Sequence, residues 1–290
     1  MPSIVQFTHP GGEHGPDRAN RNYKSWNTGL HKRKFLECEG SYINRGYLKH
    51  GLLRFWGEWE PPSEVRELIR NPEPGHPRWL HKPVMPVEIP ISDGRTYQNT
   101  DPFVFGDRFR YFVCKQYIRK TGRVTQMARL DRGSVILFGS TKGRSRGEST
   151  FLLDTVFVVS DYIDYDPANG KLLLECDERI PDYYKDIVYR IAFPQKTNVS
   201  LPMRCYLGAT FDSPFQGMYS YVPSQSAREG ISTGFPRVQL KDMPILTNNL
   251  NSKPKRTVLG IEEIAEYWSS ILRFTQEQKC LPGVRINIKY

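Results

Sequence analysis

The sequence predicts one α+β domain rich in β-structure, and three observations carry that reading. Apolar and aromatic runs of strand length recur along the chain, bounded by Gly, Asp, Ser or Pro. The chain holds 15 Phe, 16 Tyr and 5 Trp beside 23 Gly and 22 Pro, a composition of short strands and many turns. Only near the C-terminus does a long stretch show the 3.6-residue apolar period of a helix. With 290 residues and 38% hydrophobic content the chain can bury a full core, which argues against disorder. No repeat or linker divides it. Residues 1–290 therefore read as a single domain, with candidate catalytic loops in 1–95 and a β-rich nucleic-acid-binding core plus the helix in 96–290.

In chain order, Ile4-Val5-Gln6-Phe7 is a short buried strand running into the loop His9–His14. Lys32 to Leu36 opens a second strand. Leu52 to Trp56 forms a third, which stops at Gly57. Ser63 is placed to cap a short helix over Glu64–Arg70. Six prolines between Asn71 and Pro90 predict an irregular connector. Further strands are predicted at Phe103–Phe105, Phe109–Lys115, Ser134–Gly139 and Leu152–Val159, with a basic loop, Gly143–Gly147, between the last two. A short helix follows Pro181 as far as Val188, then hairpin-like stretches at Arg204–Phe211 and Met218–Pro223. Ile261, Ile264, Ala265, Trp268, Ile271 and Leu272 form the apolar stripe of an amphipathic closing helix.

The formal charge of +10 is concentrated. Between Arg108 and Arg146 stand eleven basic residues against one acid, Asp131, so the rest of the chain is balanced. Basic residues threaded through strand-like sequence attract a polyanion, and nucleic acid is the commonest; the alternative is a solvated face serving solubility. Lys32, Arg33, Lys34, Arg119, Lys120, Arg123, Lys142, Arg144 and Arg146 are the expected phosphate contacts. No apolar run nears the roughly 20 residues of a membrane helix. The N-terminus shows no export signal, and five scattered cysteines without a Cys-x-x-Cys pair read as reduced thiols of a cytoplasmic protein. Phosphate loops, the Gly-x-Ser-x-Gly elbow and Cys/His metal clusters are missing from the sequence, so no cofactor or metal is expected.

Three segments can carry chemistry. In Phe55-Trp56-Gly57-Glu58-Trp59-Glu60-Pro61 two carboxylates follow a strand and alternate with indoles. A carboxylate beside a desolvating ring can act as general acid or base. The bland alternative pairs Glu58 and Glu60 with lysines and puts the tryptophans in the core. In His9-Pro10-Gly11-Gly12-Glu13-His14 the glycines let backbone approach a ligand that His9, Glu13 and His14 orient, unless the segment is a plain turn. In Asn99-Thr100-Asp101-Pro102-Phe103, Asn99 and Asp101 can bond a base edge while Phe103 stacks on it; an Asx-turn entering a strand explains the same pattern.

Two resemblances follow from these residues. Residues 107–166, with Leu130-Asp131-Arg132-Gly133-Ser134-Val135-Ile136-Leu137-Phe138 and Asp154-Thr155-Val156-Phe157-Val158-Val159, resemble the EVE and PUA-like domains, with Ser134 where Asp is usual. That resemblance implies a compact β-barrel binding modified bases. Gly57-Glu58 and His9-Pro10, both after strands, resemble motifs of the uracil-DNA glycosylase superfamily, in reversed order and with one residue inserted before Pro61. This implies the acid's role for Glu58 and a stabilising role for His9. Both point to a nucleobase out of its stack. The reading is a DNA glycosylase acting on a modified base in double-stranded DNA, a chemistry suited to defence against phages with altered DNA. Glu58, Glu60 and His9 are its catalytic residues, and Trp56, Trp59 and Phe103 its base pocket. A non-catalytic reader of modified bases and a nuclease are the alternatives.

Overall fold

The computed structural model describes the chain except residues 10, 17–22, 91–93, 119, 143–149, 169–176, 194–199, 228–233, 242, 244–245, 247–253 and 289–290. Among the described residues sixteen strands run in chain order: β1 Ser3–Thr8, β2 Tyr23–Lys24, β3 Lys34–Asn44, β4 Tyr47–Gly57, β5 Ser63–Leu68, β6 Trp79–Pro83, β7 Arg110–Tyr111, β8 Tyr117–Ile118, β9 Arg123–Val124, β10 Val135–Lys142, β11 Thr150–Tyr165, β12 Met203–Gly208, β13 Val222–Ser226, β14 Val238–Leu240, β15 Lys255–Val258 and β16 Leu281–Ile286. A helical run of Asp182–Tyr184, a π-helical stretch Lys185–Tyr189 and Arg190–Ala192 precedes β12, and helix α1, Ile261–Glu277, precedes β16. The architecture is α+β and strand-rich, as the composition predicts.

Two mixed sheets carry the fold. The first runs β15-β1-β10-β11-β12-β7, with β14 also on β11; the second runs β16-β13-β4-β3-β6-β5-β2, with β16 also pairing β3. A small β8–β9 hairpin stands apart. β1 lies parallel to β10, Ile4 opposite Val135, and its six residues are all buried, as expected of a strand covered on both faces. Aromatic rings fill the interior: Phe7, Tyr111, Phe138 and Phe157 belong to one cluster, and Trp268, Tyr219 and Tyr221 to another under α1.

α1 presents its stripe as predicted. Ile264, Trp268 and Ile271 are buried, the Trp268 indole donates to the Tyr219 carbonyl at 3.0 Å, and Glu263 accepts from the Gly260 amide at 2.9 Å to tie the first turn. Three local expectations differ. Ser63 begins strand β5 rather than capping a helix, because Ser63–Leu68 finds a partner in β6, and tertiary pairing overrides the weak local signal. The proline-rich connector holds β6, which pairs parallel to the start of β3. Phe103 and Phe105 form isolated bridges only, and regular pairing in the next stretch is limited to Arg110–Tyr111. The basic loop Gly143–Gly147 lies outside the described residues.

Gly139 sits where the β10–β11 register shifts, and a Cβ there would stand 2.1 Å from the Leu152 carbonyl oxygen. Backbone cannot retreat as a side-chain tip can. Gly139→Ala should therefore lower unfolding free energy by about 1–3 kcal/mol, seen as a lower denaturant midpoint at unchanged slope; an unchanged midpoint would show that the bulge relaxes freely.

Candidate active site

The charged side chains gather where the two sheets meet. His9 follows β1 and is held there because its amide donates to the Gly139 carbonyl at 2.8 Å. Arg33 immediately precedes β3, Glu58 immediately follows β4, and Asp154 lies inside β11. Pairing of β3 with β4, Lys34 opposite Gly57, puts Arg33 beside Glu58. The His9–His14 loop is laced to the same point. The Arg33 amide donates to the Gly12 carbonyl at 3.0 Å and the His14 amide to the Arg33 carbonyl at 2.9 Å.

Glu58 is the hub. Its Oε2 accepts from Arg33 Nη1 at 2.9 Å and lies 3.3 Å from His9 Nδ1, while Oε1 accepts the Asp101 amide at 3.2 Å and faces His31 Nδ1 at 3.0 Å. Glu60 lies beside it. Its Oε1 is also 3.0 Å from His31 Nδ1, and its Oε2 accepts from Asn27 Nδ2 at 2.5 Å. Arg33 Nε reaches across to Asp154 at 2.5 Å, and Arg237 continues the chain of charges, 3.5 Å from Asp154 and bonded to Ser140 and the Gly11 carbonyl. Glu58, Glu60, Arg33 and Asp154 are buried; His31 keeps 19% of its side chain exposed and Arg237 11%, so these two form the outer edges of the cluster.

Burial and neighbours set the charge states. Burial lowers the His9 pKa to about 4, so it is a neutral imidazole near neutral pH. Burial also opposes charge on His31, yet the Glu58 carboxylate, with Glu60 behind it, raises this ring to about 10. Glu58 is held well below the usual carboxylate range: burial opposes this, but His31, His9 and Arg33 outweigh it. Glu60 is shifted the other way, by burial and by the adjacent Glu58 charge. One carboxylate thus stays ionised while its neighbour holds a proton more readily, an arrangement suited to acid–base work.

Beyond Arg237 opens a cleft of about 420 Å³ lined by Gly11, Gly12, Glu13, Trp56, His76 and Arg237, among others. The Arg237 guanidinium lies 5.7 Å from the Trp56 ring centre, and the volume is within the range of small-molecule sites. On another flank Cys114 Sγ is 2.9 Å from His9 Nε2. The next residue, Lys115, begins the β8–β9 hairpin, where Lys115, Lys120 and Arg123 are exposed; with Arg129 just beyond, they have no carboxylate partner among the described residues.

Of the predicted site residues, the structure brings Glu58, Glu60 and His9 together and puts Trp56 and Glu13 on the cleft. Glu13 accepts the Arg78 and Trp79 amides at 2.7 and 3.1 Å. Others are corrected. Arg33 and Lys34 are 1% exposed; Arg33 binds two carboxylates and Lys34 Nζ the Pro61 carbonyl at 3.0 Å, so neither reaches a phosphate, whereas Lys32 is exposed. Trp59 packs on Phe105 and donates to the Pro62 carbonyl, and Phe103 lies in the core against Tyr184, so neither lines a base pocket. Asp101 accepts the amides of Phe112, Val113 and Cys114, 11 to 13 residues further on, so it pins a distant backbone segment and makes neither a base contact nor the local Asx-turn. His14 is buried behind the loop, and Asn99 is half-buried. Pro10, Arg119, Arg144, Arg146 and the Lys142 side chain lie outside the described residues.

Sequence reasoning missed His31, Asn27, Cys114, Asp154 and Arg237. Asp154 left a signal: a lone acid inside Phe151-Leu152-Leu153-Asp154-Thr155-Val156 demands a buried partner. The others depend on long-range packing. Compared with family models, with curated proteins and with solved structures, the chain shows no match.

Removing one partner of a buried ion network strands the rest. Arg33→Met leaves Glu58 and Asp154 without their shared cation and should cost about 3–5 kcal/mol. A double variant, Arg33→Met with Asp154→Leu, should recover part of that loss in denaturant melts. Additive losses would show that Arg33 and Asp154 are not coupled.

Proposed function

We propose that this chain is a DNA-binding enzyme that takes a modified nucleobase out of its stack and excises it, cleaving the N-glycosidic bond at the Glu58–Glu60 cluster. One observation carries the reading: the basic hairpin, whose described cations have no carboxylate partner among the described residues, starts at Lys115, one residue after Cys114, whose thiol touches His9 and through it Glu58. Exposed cations and a pair of carboxylates therefore share one corner of the molecule, the placing that gripping a phosphate beside the reacting sugar requires.

In this reaction the C1′–N bond breaks with its electron pair leaving on the base, and a water oxygen bonds to C1′. The sugar passes through an oxocarbenium-like state. Ionised Glu58 stabilises that positive charge, and Arg33 and His9 hold its Oε2 so that no reorganisation is needed. Glu60, whose proton affinity burial raises, takes the proton from the attacking water. The departing base nitrogen gains its proton from solvent. His31, with 19% of its side chain exposed, is the least buried member of this cluster and the side from which a sugar would approach.

A second reading, recognition of a modified base without cleavage, draws support from a separate feature. The cleft pairs Trp56 with the Arg237 guanidinium, a surface on which a flat ring stacks, and the Glu58 carboxylate is not on its wall. The resemblance of residues 107–166 to EVE and PUA-like domains, with the β-barrel it implies, belongs to this reading.

Plain, hydroxymethylated and glucosylated duplexes separate the readings, because excision leaves abasic sites that alkali cleaves while a reader leaves the strands intact. Glu58→Gln should lower base release by about 10²-fold or more with duplex binding retained. Full release from a folded Glu58→Gln protein would remove Glu58 from the chemistry. Replacing Lys115, Lys120 and Arg123 by Ala should weaken duplex binding for all sequences. It should also reduce the salt slope by roughly 0.9 for each phosphate that the hairpin no longer neutralises. Unchanged affinity would move the DNA surface away from this hairpin.

A further inference from the structure

We propose that His31 Nδ1, Glu58 Oε1 and Glu60 Oε1 form a site for one divalent transition-metal cation. The inference concerns the same cluster as the excision reading but does not rest on it.

The three donor atoms lie within 4.8 Å of one another, and His31 Nδ1 is 3.0 Å from each of the two carboxylate oxygens. An imidazole nitrogen carries at most one hydrogen. It can direct that hydrogen at one carboxylate oxygen, or share it poorly between two, and Glu60 Oε1 has no other donor among the described residues. A cation meets both oxygens and the nitrogen at once. Donors in neighbouring octahedral positions, each about 2.1 Å from the ion, stand about 3.0 Å apart, the spacing found on both sides of Nδ1.

The surroundings are those that orient ligands. The opposite oxygen of Glu58 is pinned by Arg33 Nη1 at 2.9 Å and faces His9 Nδ1, and the opposite oxygen of Glu60 is pinned by Asn27. Each carboxylate therefore presents one fixed oxygen inward, as hydrogen-bonded carboxylate ligands do. The His31 ring is set by stacking on His9, centroids 5.4 Å apart and planes 16° from parallel. Both carboxylates are buried, while His31 keeps 19% of its side chain exposed, so the His31 side is the one from which an ion would approach.

The donor set also chooses the ion. Two carboxylate oxygens with one imidazole nitrogen suit Mn²⁺, Fe²⁺ or Zn²⁺, whereas Mg²⁺ and Ca²⁺ favour oxygen alone. Bound there, the cation would lower the pKa of a coordinated water and supply a hydroxide-like nucleophile at the corner where the basic hairpin begins. The competing arrangement is a metal-free one, in which protonated His31 simply bridges two carboxylates.

Purified full-length protein, stripped with chelator and dialysed, is titrated with Mn²⁺ or Zn²⁺ alone by calorimetry, and bound Mn²⁺ is examined by electron paramagnetic resonance. One ion per chain is expected, with a single imidazole nitrogen coupled to Mn²⁺ and weaker binding of Mg²⁺. His31→Ala, the substitution least costly to folding because the ring is partly exposed, and Glu60→Gln should each weaken binding by more than the roughly 10- to 100-fold that loss of an outer hydrogen-bond partner costs. His50→Ala, a control at an exposed position of β4, should bind as the parent does. Each variant is checked by its melting curve; if Glu60→Gln unfolds, His31→Ala and the nitrogen coupling decide. Absence of stoichiometric Mn²⁺ and Zn²⁺ binding, or binding that a folded His31→Ala protein retains in full, overturns the inference. Metal binding without base release on any duplex would leave the site standing and remove the excision reading. Base release by chelated protein that binds no metal would do the opposite.

Discussion

A buried guanidinium holds this molecule together at its seam. Arg33 sits between Glu58, at the end of β4 in one sheet, and Asp154, inside β11 of the other, with its side chain 1% exposed. Neither carboxylate tolerates burial alone, and neither does the cation; desolvating them is repaid only if all three meet in good geometry. That requirement fixes the position of one sheet against the other more tightly than apolar packing does, because apolar contacts tolerate small slides and charge-assisted hydrogen bonds do not. Arg33 also accepts and donates through its backbone, tying down Gly12 and His14. The glycine loop after β1 is thus ordered by the residue that orders Glu58.

From this constraint the polarity of the cluster follows. Arg33 and His9 satisfy one edge of Glu58, so its remaining oxygen is turned toward His31 and Glu60. Two carboxylates side by side cannot both be ionised without a cation between them. Either the His31 proton or a metal ion supplies it, and the two choices are exclusive because both use the Nδ1 position. Such a site is costly to build for stability alone, since well-packed apolar residues of the same volume serve a core at least as well. The cost is more readily understood where the charges act on something that arrives from outside, and the partly exposed His31 edge is the place where it can arrive.

How far the sequence made this visible differs by element. The strand ends at Thr8 and Gly57 were legible because apolar runs stop abruptly at Gly or His, and α1 because its stripe has one period only. Glu58, Glu60 and His9 were legible as chemistry-bearing types placed after strands. Ser63 was misread because Ser followed by Glu is a local helix signal, while the pairing of β5 with β6 is a non-local event that overrides it. Arg33 and Lys34 were misread for a related reason. A run of three basic residues looks like a phosphate grip, but the strand they enter turns Arg33 into a carboxylate pair and Lys34 onto a buried carbonyl. Lys32 alone of the three stays exposed. Charge sign is written in the sequence; burial of charge is decided by partners far along the chain, such as Asp154.

The separation of the two outer edges also constrains any account of function. The Arg237 edge faces a cleft with an indole and a guanidinium, suited to holding a flat, electron-rich ring; the His31 edge faces the two carboxylates, suited to chemistry. Arg237, Asp154, Arg33 and Glu58 form an unbroken line of charged contacts between them. A ligand that displaced Arg237 from Asp154 would leave Asp154 relying on Arg33 alone and would draw that guanidinium away from Glu58. Losing that contact would raise the Glu58 pKa, because Arg33 is among the groups that hold this buried carboxylate ionised. The cleft and the carboxylate pair are thus separate places, joined by the Arg33 guanidinium through Asp154 and Arg237.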